Sequence, residues 1–165
     1  MFNEPLAYLI TFTCYGTWLH GDKRGSVDKE HNTYQSDFVP PNDNRKNVRM
    51  EQLTCQPVVL DNKERKIVGN KIIDVCQYRQ WKLHASCVNT NHVHVVVSGN
   101  SPPEKIMADI KAYTTRELRN LREKSSKIWT QGGSTRYLWN EKSLVTACEY
   151  VRKHNQQENQ PEPDA

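Results

Sequence analysis

The segment Asn91–Ser98, NHVHVVVS, limits the fold more than any other stretch, because its β-branched residues favour a strand and its histidines fix how that strand is read. Alternation with a period of two sends His92, His94 and Val96 to one face and Val93, Val95 and Val97 to the other. Two imidazoles therefore project side by side. A second β-rich run, Trp81–Val88, lies just upstream, and Asn89, Thr90 and Asn91 between them have the side chains of a tight turn. The two runs read as an antiparallel hairpin.

Other elements follow from the same signals. Ala7–Trp18 is dense in β-branched and aromatic residues and reads as a central strand. Asp61 can cap a helix running to about Tyr78, with Val68, Ile72, Val75, Cys76 and the stem of Arg79 on its apolar side. Ser101 or the Pro102–Pro103 pair opens a second helix, which aligns Met107, Ile110, Thr114, Leu118 and Leu121. After Gly132 and Gly133, Thr135–Trp139 makes a short strand. Asn140 or Ser143 then caps a last helix with Leu144, Ala147, Cys148 and Val151 inward. This order predicts an α+β fold, an antiparallel sheet of about four to five strands covered by helices on one or both faces.

Size and composition agree with one domain. The chain has 165 residues, and a hydrophobic fraction of 36% leaves a modest core with long polar excursions. We place that domain at 1–157, with an irregular insertion over about 21–57 that holds Pro40 and Pro41, and a polar, frayed tail beginning near Gln156 and covering 158–165. The net charge of +4 suits an anionic partner without selecting one. Five cysteines with no C-x-x-C pair indicate a reduced, cytoplasmic protein. No apolar run is long enough to cross a bilayer, and Met1–Leu6 lacks the layout of a signal peptide, so no membrane partner is expected.

The chemistry centres on the histidine strand. Neutral imidazoles bind borderline divalent metals, and same-face neighbours can share one ion. The competing reading is two histidines packed under a helix, each hydrogen bonded. Burying two such rings where Val or Ile would serve costs desolvation, which favours the ligand role. Two ligands rarely suffice, and the last helix offers a third in His154. Tyr150 precedes it by four residues and shares its helical face. A tyrosine hydroxyl can attack phosphorus to give a covalent phosphotyrosine. Taken alone, Tyr150 is an ordinary half-buried aromatic.

These residues resemble a known family. The N-H-V-H-V-V-V strand, the helix containing IKAYTTRELRN and the closing helix containing EYVRKHNQ are similar to those of the HUH single-strand DNA endonucleases, in particular the single-tyrosine transposases of insertion sequences and their REP-associated relatives. The likeness spans about Asp61–Gln157 and the opening strand, and implies a ferredoxin-like HUH architecture. It further implies Mg²⁺ or Mn²⁺ on His92 and His94, completed by His154, with Tyr150 as nucleophile. The implied reaction nicks and rejoins single-stranded or hairpin DNA through a 5′-phosphotyrosine, and relatives are often homodimers.

Several alternatives stand beside that reading. Tyr113, ringed by Lys111, Arg116 and Arg119, competes with Tyr150 as nucleophile. The basic face Lys111, Thr115, Arg119 and Arg122, extended by Lys124 and Lys127, is either a phosphate-contacting surface or a solvated one. Tyr15, Trp18, Trp129 and Trp139 either stack unpaired bases or fill the core. At the level of function, a DNA-binding module that no longer cleaves and a phosphoesterase without a covalent step are the rival readings.

Overall fold

The computed structural model describes residues 4–17, 57–122 and 127–158. The insertion expected over about 21–57, the tail expected over 158–165, and Trp18, Cys55 and Lys124 lie outside them, apart from Pro57 and Glu158 at the borders.

Among the described residues four strands form one sheet: β1 (Ala7–Thr13), β2 (Lys82–Val88), β3 (His92–Ser98) and β4 (Ser134–Leu138). Their spatial order is β2-β3-β1-β4, and every neighbouring pair is antiparallel. Helix α1 (Asn62–Arg79) links β1 to β2 and helix α2 (Pro103–Leu118) links β3 to β4, which is the ferredoxin-like connection. A third helix, α3 (Glu141–Glu158), follows β4.

Helices cover both faces of the sheet. On one, Ile10, Phe12, Val93, Val95 and Val97 meet Val68, Ile72 and Val75 of α1 and Ile106, Ile110 and Leu118 of α2. On the other, Leu9, Cys87, Val96 and Leu138 pack against Ala147, Cys148 and Val151 of α3. Four valines of β3 are fully buried as a result, Val93, Val95, Val96 and Val97. The alternation read from the sequence is thus realised with the histidines on the α3 side.

Local chemistry fixes most boundaries. Asp61 caps α1 in a reciprocal box, its side chain accepting from Glu64 N at 2.8 Å while the Glu64 carboxylate accepts from Asp61 N at 3.2 Å. Asn140, rather than Ser143, caps α3, since its Oδ1 accepts from Ser143 N at 2.8 Å. Trp81 belongs to the end of α1 and not to β2, because its N–H returns to Cys76 O at 2.8 Å. Its ring lies over Gly99, where an added Cβ would fall 2.4 Å from Trp81 Cδ1. Helix α2 ends at Leu118, so Leu121 leaves the inward stripe and is 48% exposed. Helix α3 continues through Glu158 where fraying was expected from Gln156.

Gln80 closes α1 with φ of 61°, the one described non-glycine residue in the left-handed region. That conformation costs a residue with a Cβ about 1–2 kcal/mol, against the roughly 0.5–1 kcal/mol of chain entropy that glycine gives up on folding. Gln80→Gly is therefore expected to gain about 0.5–1 kcal/mol, raising the melting midpoint by roughly 2 °C in a thermal scan.

Candidate active site

His92 and His94 sit on β3 one pleat apart, facing α3, with ring centroids 4.8 Å apart. Tyr150 and His154 come from α3, one helical turn apart, with centroids 4.3 Å apart. The two pairs meet: His94 lies 5.5 Å from Tyr150 and 5.0 Å from His154, and His92 lies 6.3 Å from His154. All four rings predicted as a site are in one cluster, and His94 is at its middle.

The hydrogen bonds of His92 and His154 define which nitrogen carries the proton. Asn91 Oδ1 can only accept, so His92 Nδ1 donates to it at 2.7 Å, and the Asn89 amide nitrogen donates to His92 Nε2 at 2.6 Å. His154 Nδ1 donates to Tyr150 O at 3.0 Å. His94 Nδ1 pairs with Thr11 Oγ1 at 2.8 Å, and His94 Nε2 is buried without a hydrogen-bond partner. With Nδ1 protonated toward Thr11, all three rings keep their lone pair on Nε2. A metal-ligating histidine is usually oriented in this way, by a bond from its second nitrogen.

Thr11, Asn89 and Asn91 are hydrogen-bond partners of the histidine rings that sequence reasoning missed. Thr11 reaches His94 because β1 and β3 pair in a register that sets the two residues opposite each other. Asn89 had the look of a turn residue, yet it is only 2% exposed and its own N–H bonds to His92 O at 2.8 Å. Gly133 presses against this region, since a Cβ there would fall 2.6 Å from Thr11 O and 2.7 Å from Met107 Sδ.

Burial shapes the electrostatics. Desolvation, reinforced by neighbouring His92 and His94's other neighbour His154, pushes His94 down to about 3, so its ring is neutral near pH 7. Burial also raises the Tyr150 phenol above its ordinary value, although that side of α3 leaves the residue 46% exposed. The donor set suits a divalent ion: three imidazoles, one of them holding an orphaned Nε2. The side chains are not closed around a point, however. Among the described residues no group of three or more His, Cys, Asp or Glu is arranged to hold a metal, and the Asn89 amide occupies His92 Nε2.

The predicted basic face divides. Lys111 Nζ donates to Thr130 O at 2.8 Å and to Gly132 O, and its burial lowers its pKa to about 8. Arg122 is bound to both carboxylate oxygens of buried Glu64 and to Val59 O at 2.8 Å. These two cations hold the fold together. Arg119 is exposed and Thr115 partly so, on a helix across the sheet from the histidines. Lys127 is exposed, with its ammonium 5.5 Å from the centre of the Tyr15 ring.

Tyr113 packs partly buried against the α1–α2 core, under the Arg116 guanidinium at 5.1 Å. It is thereby separated from the histidines by the sheet. Trp129 is a core residue, edge-on to Phe12 at 4.9 Å and bonded through Nε1 to Thr114 Oγ1 at 3.1 Å. Trp139 is 49% exposed beside Tyr137. The four described cysteines are buried thiols, and no described helix is long and apolar enough to cross a membrane.

Fold and site together define a ferredoxin-like domain that carries an imidazole cluster and a helical tyrosine on one face of its sheet. Residues 54–157 match the family of IS200-like transposases, and the chain belongs to that family. It is accordingly a transposase-type protein that acts on DNA. Among solved structures it is similar to a REP-associated tyrosine transposase bound to a REP hairpin, at 12% identity and a TM-score of 0.52 over 96% of this chain and 72% of that one. It is also similar to a candidate transposase from Deinococcus radiodurans, at 10% identity and a TM-score of 0.50 over 93% and 94% of the two chains. At these identities the likeness is one of fold. No curated protein matches the chain.

Two predictions follow from these side chains. His94 is neutral when folded down to about pH 3, whereas its unfolded value is near 6.5. Its contribution is therefore complete above pH 6.5 and is lost as pH falls from there toward 3. His94→Gln should flatten the decline in chemical-denaturation stability between pH 7 and 4. Arg122→Ala leaves the Glu64 carboxylate buried and should cost about 2–3 kcal/mol, the low end for a broken buried pair because Arg122 is partly exposed. A loss of DNA binding with unchanged stability would instead assign Arg122 to the DNA surface.

Proposed function

We propose that this protein nicks and rejoins single-stranded DNA at hairpin-containing sites through a covalent 5′-phosphotyrosine on Tyr150. The observation that carries the reading is the gathering of Tyr150, His154, His92 and His94 into one ring cluster, from a strand and a helix that are distant in sequence. One chain supplies all four rings, so a homodimer is not required to assemble them.

In this scheme the Tyr150 hydroxyl oxygen attacks the phosphorus of a DNA phosphodiester. The tyrosyl O–P bond forms as the bond from phosphorus to the 3′ oxygen breaks. The 3′ oxygen leaves and takes a proton, while the phenolic proton is lost to solvent or a nearby base. Because a phenol is protonated near pH 7 and burial raises Tyr150 further, that proton must depart as the new bond forms. The later attack of a 3′-hydroxyl on the phosphotyrosine reverses the step. One phosphoester replaces another, so no nucleotide hydrolysis is needed.

His92, His94 and His154 would hold the divalent ion that the family implies, through their Nε2 atoms. A bound ion withdraws charge from the non-bridging phosphate oxygens and orients them for in-line displacement. Asn91 keeps His92 in the ligand tautomer, Thr11 orients the His94 ring, and the Asn89 amide would have to give up its bond to His92 Nε2 for that atom to ligate. An all-imidazole set favours Mn²⁺ over Mg²⁺, which prefers oxygen donors. The REP-hairpin complex of the structural neighbour supports hairpin DNA as substrate. Arg119 and Lys127 are the exposed cations we assign to phosphate contacts.

The test is to incubate the protein with labelled single-stranded hairpin DNA and Mn²⁺ or Mg²⁺, and to resolve protein-linked label on a denaturing gel. Wild type should form the adduct, more with Mn²⁺. Tyr150→Phe should form none, Tyr113→Phe should form it normally, and His94→Ala should lower it by roughly a hundredfold. An adduct that persists in Tyr150→Phe removes that residue as the nucleophile. Salt-sensitive binding with no adduct would mark a DNA-binding module, and cleavage without protein label a phosphoesterase.

A further inference from the structure

A groove of about 460 Å³ lies between α1, β2 and the end of α3, beside the ring cluster but outside it. We infer that it binds the unpaired DNA strand continuing from the nicked phosphate. This rests on the proposed function for its position in the reaction.

One wall is a stripe of α1. Asn62, Arg65, Lys66 and Gly69 follow the spacing of three, four and seven residues that places side chains in a row, and all four line the groove. The buried side of the same helix is a different row, Glu64, Val68, Ile72 and Val75. The opposite wall includes Asn155, the residue after His154, and Ser86 of β2. Cys87 Sγ lies 3.9 Å from Asn155 Oδ1 and 3.0 Å from Asn89 Oδ1, and Asn89 holds His92. The groove is therefore joined to the site by a short run of polar contacts.

The chemistry of the lining selects the ligand. Arg65 and Lys66 supply two positive charges, and among the described residues no carboxylate lines the groove. Asn62, Asn155 and Ser86 supply donors and acceptors of the kind that read base edges. A duplex offers base edges only from inside its grooves, whereas an unpaired strand exposes its Watson–Crick edges along with its phosphates. The volume is in the range of sites that hold a small ligand.

Gly69 is an independent indication. It is not among the described residues with positive φ, and an added Cβ would meet nothing nearer than Val88 Cγ2 at 3.9 Å. Glycine inside a helix is less favourable than alanine by about 1 kcal/mol, so the fold gains nothing from it here. What its missing side chain does provide is an open groove floor.

The test compares two oligonucleotides that share one hairpin, one blunt and one with a single-stranded thymidine tail of roughly eight nucleotides, by fluorescence anisotropy in EDTA. Wild type should bind the tailed DNA more tightly. Arg65→Ala/Lys66→Ala and, separately, Gly69→Glu should lose roughly tenfold on the tailed DNA and leave the blunt hairpin unchanged. The double variant should also reduce the salt dependence by about 1.4, at about 0.7 per phosphate contact on a single strand. Gly69→Glu keeps a good helix former at this position, so its effect reads as blocking rather than unfolding. Equal binding of both oligonucleotides by wild type, or tail-dependent tightening that survives in both variants, overturns the groove. The adduct assay separates the two readings. An adduct with no tail dependence rejects the groove and leaves Tyr150 standing. Tail dependence without an adduct keeps the groove and rejects the phosphotyrosine.

Discussion

Burial of β3 between two helical layers is the constraint on which the other features depend. Val93, Val95 and Val97 close the α1–α2 side and Val96 closes the α3 side, so no position in the middle of the strand reaches water. A histidine in such a place is costly unless its nitrogens are occupied. For His94 the sheet answers half of this, with Thr11 opposite on β1. The other half, Nε2, is left uncompensated, and that is what makes the site chemically legible.

The same burial sets the protonation of the cluster. A pocket that removes water from His94 also removes the option of a charged imidazolium, leaving the lone pair that a cation needs. Tyr150 lies at the edge of that pocket, half exposed. In the reaction we propose, desolvated imidazoles behind and a half-exposed tyrosine in front suit attack on a phosphodiester that arrives from solvent. The polar links through Asn89 and Cys87 extend this arrangement toward the α1 groove without adding another charged group.

The inward cations show how charge alone misleads. Lys111, Arg119 and Arg122 look equivalent along a basic stripe, yet only Arg119 is fully on the surface. Lys111 is held by the carbonyls of the 130–132 turn, and Arg122 by the carboxylate that also caps α1. Each finds its partner in a segment far away in sequence. Arg65 and Lys66 drew no notice in the sequence, because a helical stripe becomes a groove only when β2 and α3 supply the far wall.

By itself the sequence determined the period-two face of His92 and His94, the helical pairing of Tyr150 with His154, the cap at Asp61 and the order of elements. All of these are local, set by side-chain spacing along one strand or one helix. The resemblance added the ferredoxin-like arrangement, which the strand order realises. Only the tertiary structure decided that α3 lies on the histidine side of the sheet, that Tyr113 lies on the other, and that Thr11, Asn89 and Asn91 fix the rings. Those outcomes rest on strand register and on which face each helix covers, and neither is encoded in a local pattern.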